Sequence, residues 1–147
     1  MQSVEGNIKI DAPMEAVMAV LGDFSTYPAW SGFRSCEVLS TDGEGRASKV
    51  SIELSAGPLN AKYTIAVSYL PGGTGLTWTF VEGSGITDTE GEYRLAEADG
   101  GTLVNYRGAV DMNLPMPGFM KKKLIAEGQK VGRDKALKGL KDHVESR

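Results

Sequence analysis

The segment Pro115–Arg147 reads PMPGFMKKKLIAEGQKVGRDKALKGLKDHVESR, and it decides the fold. Two prolines and a glycine interrupt the chain at 115–118, and no further proline occurs between Phe119 and Arg147. This pattern predicts one long C-terminal helix, because proline is poorly tolerated in helix interiors. Such a helix extends roughly 40 Å at about 1.5 Å per residue, enough to cross a whole face of a small sheet. A curved sheet around it can leave an apolar hollow, so binding is the first function to consider.

The N-terminal residues predict one strand and two short helices. Apolar and polar side chains alternate over residues 4–10, the pattern of a strand with one wet face. Asp11 and Pro13 indicate the start of a helix that runs to about Leu21, with Asp11 as its cap. A second, short helical turn is predicted over Asp23–Trp30.

Turn residues divide the middle of the chain into six more predicted strands. Asp-Gly and Gly-Gly steps are strong hairpin signals because such turns need positive φ. Each strand has one apolar face, and a sheet with one wet face needs a cover, which only the long helix is large enough to supply. No internal repeat or linker divides the chain, so residues 1–147 are expected to form a single domain. The predicted strands span 33–41, 46–55, 59–70, 76–81, 86–96 and 102–112, with turns at Asp42-Gly43, Gly57-Pro58, Pro71–Gly73, Gly83–Gly85 and Asp99–Gly101.

The composition and charge narrow the class of protein. The chain has 147 residues, of which 41% are apolar and 24% charged, an ordinary globular composition. The net charge of −3 divides into −8 over residues 1–116 and +5 over residues 117–147. An acidic chain argues against nucleic-acid binding, which favours a basic surface. The 19 glycines, spread through the strand region, indicate bends and bulges in a strongly curved sheet.

The N-terminus and the cysteine count predict the compartment. Residues 1–6 lack the charged start and apolar run of a signal peptide, and no apolar stretch is long enough to span a bilayer. Cys36 is the only cysteine, which excludes an internal disulfide and fits a reducing environment. We therefore expect a cytoplasmic protein in which Cys36 is a free, partly buried thiol.

Two glycines interrupt the predicted C-terminal helix. Gly128 and Gly132 lie four residues apart, on nearly the same side, and each glycine costs the helix about 0.5–1 kcal/mol against alanine. One explanation is close packing against another element or an irregularity of the helix. The other is that the missing side chains leave room for a ligand beneath the helix.

Five segments, taken with the element order, carry a family resemblance: Ile10–Pro13, Asp23–Trp30, Gly91–Tyr93, Gly100–Tyr106 and Leu114–Gly118. With them the chain resembles the polyketide cyclase/dehydrase and lipid-transport superfamily, the helix-grip group that includes START-type lipid-transfer domains. The resemblance covers essentially the whole chain. It implies an α+β fold in which a seven-stranded curved antiparallel sheet surrounds the long C-terminal helix, with two short helices after the first strand. It also implies an internal cavity for hydrophobic small molecules, but members of one fold host unrelated activities.

The residues that usually carry catalysis or metal binding are scarce. His143 is the only histidine and lies near a helix C-terminus, where an exposed position is favourable. With Cys36 it supplies few of the ligands that zinc prefers, so no metal and no cofactor are expected. No catalytic motif of a particular cyclase or hydrolase matches, so we assign no catalytic residues.

Several charged residues have two interpretations. Asp88, Glu90 and Glu92 share one strand face and are either an acid/base group or a solvated outer face; the outer face is the simpler interpretation, since Gly91 and Tyr93 take the other side. Arg94 and Arg107 either reach the hollow and bind an acidic ligand group or face solvent.

Four aromatic residues are the strongest candidates for a binding site. Tyr63, Trp78, Tyr93 and Tyr106 lie on predicted inward faces and combine a large apolar body with one polar group, as ligand pockets require. The alternative is that they fill the core. The complete set of predicted cavity-lining residues is Trp30, Ile52, Leu54, Tyr63, Ile65, Trp78, Phe80, Tyr93, Tyr106, Met120, Leu124 and Gly128.

The basic run Lys121–Lys123 follows Phe119 and Met120. A solvated helix face is the default interpretation, and contact with an anionic lipid surface is the alternative.

Three functions remain open after these observations. The first is binding or carriage of a hydrophobic small molecule, lipid-like or polycyclic, between sheet and helix. The second is a cyclase, dehydratase or hydrolase that acts on a polyketide-like or aromatic substrate in the same place. The third is an interaction module whose interior is filled by its own side chains. The identity of the ligand and the oligomeric state stay open.

Overall fold

The computed structural model describes residues 1–56 and 59–147, so the predicted turn at Gly57-Pro58 lies outside the described residues. The predicted element order and the helix-grip architecture are confirmed. The helices are α1 (Met14–Leu21), α2 (Tyr27–Trp30) and α3 (Gly118–Glu145), and 3₁₀ turns lie at Phe24–Thr26 and Pro71–Gly73. The strands are β1 (Ser3–Ile10), β2 (Ser35–Thr41), β3 (Ala47–Ala56), β4 (Leu59–Tyr69), β5 (Gly75–Ser84), β6 (Ile86–Ala98) and β7 (Gly101–Met112).

The start of α1 differs from the prediction. Pro13, not Asp11, is the residue that precedes the first helical turn, and its carbonyl accepts from the amides of Ala16 and Val17. The backbone N–H of Asp11 instead donates to the carboxylate of Glu145 at 2.8 Å. The sequence of α1 alone did not indicate this, because the partner of Asp11 lies at the other end of the chain.

One hairpin turn also differs from the prediction. The β2–β3 turn is closed by hydrogen bonds between Asp42 and Arg46, and its positive φ falls on Gly45 rather than on Gly43. The loop is therefore longer than a two-residue Asp-Gly turn. At the β6–β7 turn, Asp99 and Gly100 both have positive φ, as the sequence predicts.

The seven strands form one antiparallel sheet in the order β1-β7-β6-β5-β4-β3-β2. The pairing of β5 with β6 extends only from Gly75–Arg94 to Thr79–Glu90. Beyond that point β5 continues along β4 as far as Ser84, and the start of β6 pairs with β7. The two strands therefore separate at the end of the sheet where α3 begins.

Helix α3 covers the free edge of β1. Arg133 donates to the carbonyl of Glu5 and Lys141 to that of Lys9, both at 3.0 Å. The buried amide of Gln129 accepts from the N–H of Val110 at 2.7 Å and donates to the carbonyl of Gln2 at 3.1 Å. These bonds satisfy backbone groups that an edge strand otherwise exposes. They also fix α3 over β1 and β7, away from the inner faces of β3, β4 and β5.

The close-packed glycine of α3 is Gly139, not one of the two that the sequence singled out. A Cβ on Gly139 would overlap the backbone carbonyl of Trp30 in α2. A Cβ on Gly128 or Gly132 would meet no atom of the described chain within 4 Å. Close packing is therefore the wrong explanation for Gly128 and Gly132, whereas helix irregularity and room for a ligand both stay predictions.

Candidate functional site

Burial along the inner face of the sheet is uneven. Several inward side chains are completely enclosed, including Ile86 at the end of the sheet nearest the start of α3, whereas others at that end are only partly buried. The enclosed group is Ile10, Val50, Leu76 and Val104, and the partly buried group is Leu54, Leu59, Phe80, Val110 and Met112. We call the part of the inner face that this partly buried group forms, beside the first half of α3, the hollow. Three clefts of about 670, 450 and 380 Å³ in the described part of the chain are lined by other side chains.

Three aromatic rings lie side by side at the inner end of the hollow. The ring centroids of Tyr93 and Tyr106 are 5.3 Å apart, and that of Trp78 lies 5.6 Å from Tyr93 and 6.0 Å from Tyr106. Their planes are tilted by 33° to 55°, within the range that aromatic pairs favour. Trp78 and Tyr106 remain partly exposed, so they offer an aromatic surface to a guest in the hollow.

Two strand glycines let these rings lie flat on the sheet. A Cβ on Gly91 would overlap the indole of Trp78, and a Cβ on Gly108 would overlap the hydroxyl end of Tyr106. Gly91 is the strand partner of both Trp78 and Gly108, so the rings occupy adjacent positions on neighbouring strands. The missing side chains thus set the depth of the hollow at this point.

The hydroxyls of Tyr63, Tyr93 and Tyr106 form no hydrogen bond with the residues that the structure describes. None of the described polar side-chain atoms is both fully enclosed and unpaired, so each of these hydroxyls touches accessible space. Burial raises the pKa of all three phenols, and the positive charge of Arg133 offsets only part of the effect at Tyr106. The phenols therefore stay protonated at neutral pH and can donate to an oxygen atom of a ligand.

Three glycines share one side of α3, and two of them, Gly128 and Gly132, are exposed. Gly128 and Gly132 precede Gly139 by eleven and seven residues, which places all three on one side of a helix with about 3.6 residues per turn. Because Gly139 contacts Trp30, this side of α3 faces α2. Farther toward the start of α3 the same side carries Leu124, and beside both glycines the space is open.

The structure does not bring all of the predicted lining residues together. Trp30 is buried against Tyr27, with ring centroids 4.5 Å apart, and its indole N–H donates to Thr26, so it packs in the α2 region. Met120 lies about two and a half turns before Gln129, which places it on the side of α3 that faces away from the sheet. Leu124 and Gly128 are exposed on α3. The remaining candidates lie on the inner face of the sheet: Ile52, Leu54, Tyr63, Ile65, Trp78, Phe80, Tyr93 and Tyr106.

The charged candidates occupy the outer face of the sheet. Arg107 lies 3.8 Å from Glu90 and 3.4 Å from Glu92, and Arg94 also pairs with Glu92. Asp88 on the same strand is exposed. Glu90, Glu92, Arg94 and Arg107 thus form a solvated ion-pair network on this outer face. Over residues 1–56 and 59–147, no group of three or more His, Cys, Asp or Glu side chains is arranged to hold a metal ion.

The sequence as a whole matches one protein family. Residues 1–145 match the family described as polyketide cyclase / dehydrase and lipid transport. The chain belongs to this family. A search among curated proteins gave no significant match.

Solved structures resemble this family member over nearly their full length. A START superfamily protein from Mycobacterium smegmatis is 24% identical with a TM-score of 0.80, covering 97% of this chain and 98% of its own. A Thermus thermophilus protein is 20% identical with a TM-score of 0.87, covering 99% and 98%. The Zhui aromatase/cyclase from a Streptomyces species is 17% identical with a TM-score of 0.75, covering 99% and 94%. At these identities the likeness establishes the fold alone.

In this polyketide cyclase/dehydrase and lipid transport family member, several residues of the candidate site are not among those predicted from the sequence. Leu59, Val110 and Met112 border the hollow, and Gly91 and Gly108 lie beneath the aromatic rings. Alternation along β4 and β7 placed most of these residues on the inward face, but it does not show where that face is left uncovered. No helix in the described part of the chain is both long and apolar enough to cross a membrane.

A second cleft in this family member differs in chemistry from the hollow. It has a volume of about 670 Å³ and lies at the opposite end of the sheet, between α1 and the β4–β5 turn. Its lining includes Asp23, Glu44 and Arg46, and the Arg46 guanidinium lies 4.5 Å from the ring centre of Tyr69. The charged rim makes it a poor place for an apolar ligand.

Cys36 is expected to be unreactive in the folded protein. It faces inward opposite Ile52, and burial raises the pKa of its thiol to about 12. Because thiolate is the reactive form, alkylation by iodoacetamide at pH 8 should be at least about tenfold slower than in the chain unfolded by urea. Because the pKa of this thiol is higher in the folded chain than in the unfolded chain, its burial contributes to the free energy of unfolding below pH 9. That contribution is lost as the pH rises toward 12. Equal alkylation rates in the two states would contradict the burial of this thiol.

Proposed function

We propose that this protein binds and carries a hydrophobic small molecule, lipid-like or polycyclic, in the hollow. The observation that supports this most directly is the uncovered apolar inner face, where Leu54, Phe80, Val110 and Met112 remain partly exposed. An apolar face that the protein does not cover itself favours a guest that does. Each 100 Å² of apolar surface buried by that guest contributes about 2.5 kcal/mol at 25 cal/mol per Å².

The polar groups of the hollow suit orientation of a ligand rather than proton transfer. Tyr63, Tyr93 and Tyr106 are neutral donors over the physiological range, because their pKa values are raised. The carboxylates predicted as an acid/base alternative, Glu90 and Glu92, lie on the outer face with arginine partners. A phenol that stays protonated donates one hydrogen bond to a carbonyl, hydroxyl or ether oxygen and so favours an oxygenated ligand.

The second candidate is a cyclase or dehydratase that acts on a polyketide-like or aromatic substrate. One observation favours it: the rings of Tyr93 and Tyr106 lie side by side with both hydroxyls unpaired among the described residues, so two donors are available to polarise one carbonyl. Such an enzyme would rely on confinement of a folded substrate and on these donors, since no described carboxylate shares the inner face with them.

The test is to identify the compound that the protein holds and to determine whether the protein alters that compound. Native mass spectrometry of protein purified from its own host, followed by solvent extraction, should reveal a bound apolar compound that is released by the solvent. When the extracted protein is loaded again with that compound and incubated, the compound should be recovered with its mass unchanged. Recovery of a chemically altered product would favour the second candidate. Absence of any bound compound, together with no saturable binding of apolar fluorescent probes, would refute both.

A further inference from the structure

The first two turns of α3 carry apolar side chains that contact little of the rest of the molecule. Phe119 is 77% exposed and Met120 is 49% exposed. Isolated exposed apolar residues are ordinary, but these two are adjacent and directly follow the proline-rich segment 114–117, where Leu114 and Met116 are partly exposed. They lie at the end of the sheet where β5 and β6 separate.

The same turns carry a cluster of lysines. Lys121 lies 3.8 Å from Asp111, whereas Lys122 and Lys123 are exposed and form no ion pair with a described residue. Glu127, one turn later, is the nearest carboxylate along the helix but is not within ion-pair distance of either. The positive charge at this end of α3 is therefore largely uncompensated.

This arrangement does not serve the stability of α3. The first turn of the helix contains no acidic residue, and three lysines follow at once. A helix dipole favours acidic residues near the N-terminus and basic residues near the C-terminus. Exposed apolar side chains likewise contribute little to folding. A surface that combines positive charge with exposed apolar side chains fits a partner that has an apolar interior and an anionic surface.

From these features we infer that the start of α3, formed by Phe119, Met120, Lys122 and Lys123, docks on an anionic lipid membrane. Phe119 and Met120 insert at the boundary of the acyl chains, and the two lysines contact acidic headgroups. The uneven charge supports this orientation, since residues 117–147 carry +5 and the body of the protein carries −8. The acidic body is repelled by the membrane while the basic helix approaches it. The inference does not depend on the hollow holding a ligand.

Co-sedimentation with vesicles tests the inference. The full chain should bind vesicles that contain phosphatidylglycerol and should not bind pure phosphatidylcholine, and added salt should weaken binding because the headgroup attraction is screened. Phe119→Ser and the double variant Lys122→Glu/Lys123→Glu should each reduce the bound fraction at limiting lipid by about tenfold.

Matched controls lie on the same helix. Val131→Ser removes an apolar side chain that is 68% exposed, and Lys130→Glu/Lys138→Glu makes the same change in net charge away from the docking surface. Both controls should bind as the unaltered protein does. The inference is overturned if neither vesicle type is bound, or if the control variants lose as much binding as the docking variants. It is also overturned if Phe119→Ser changes only the sedimentation of the protein alone, because that result would assign the surface to self-association.

Discussion

Replacing Gly139 with alanine is expected to lower the free energy of unfolding by about 1–3 kcal/mol, although alanine is the better helix former. The added methyl group would overlap the backbone carbonyl of Trp30. A backbone atom cannot rotate away as a flexible side chain can, so α2 and α3 must separate. Urea denaturation followed by circular dichroism measures the change.

The matched control is the same substitution at Gly128. Its Cβ would meet no described atom within 4 Å, so only the helix propensity changes, and Gly128→Ala should raise the free energy of unfolding by about 0.5–1 kcal/mol. The two alanines should therefore act with opposite sign in one helix. If both stabilise the protein, the contact between α2 and α3 is looser than the structure places it.

The second large effect concerns the space beside Gly128 and Gly132. The double variant Gly128→Leu/Gly132→Leu is expected to weaken binding of the native ligand, or of an apolar fluorescent probe, by at least about tenfold. Two isobutyl groups would fill the open space beside the two glycines, where a ligand is predicted to lie. Because leucine is a better helix former than glycine, the variant should remain at least as stable as the original protein.

Lys130→Leu is the control for this variant. It adds apolar surface to the same helix on a different side, so probe binding should not fall. A titration of probe fluorescence, with a urea melt of each variant, separates loss of binding from loss of fold. Unchanged capacity and affinity in Gly128→Leu/Gly132→Leu would show that the space beside the two glycines is not used by a ligand.

Most of the fold followed from local patterns in the sequence. The alternation in β1 and the turn residues between later strands indicated seven strands, and the run without proline after residue 118 indicated α3. These signals depend on residues that are close together in the chain. They remain valid in the folded protein, because each strand keeps one solvent-facing side and the helix keeps its own backbone hydrogen bonds. The errors at Asp11 and Gly43 arose where a distant residue or a longer loop decided the local geometry.

The residues of the candidate site were harder to predict from the sequence than the fold was. Alternation assigned Tyr63, Trp78, Tyr93 and Tyr106 to inward faces correctly, but it assigned Val50 and Leu54 equally, although the first is enclosed and the second is partly exposed. The helix candidates Met120 and Leu124 meet a similar obstacle, since an apolar residue in a helix does not reveal which side of the helix meets the sheet.

What the sequence determined by itself is the succession of elements, the wet and dry faces of the strands, and the uneven charge that sets a basic helix beside an acidic body. What only the tertiary structure decided is where α3 lies across the sheet. The side chains of Gln129, Arg133 and Lys141 bond to backbone groups of β1, of β7 and of Gln2, so the helix is held over one half of the inner face. Whether an inward side chain is buried or left beside an open space depends on that placement. It is fixed by contacts between residues more than a hundred positions apart in most cases, which no local periodicity encodes.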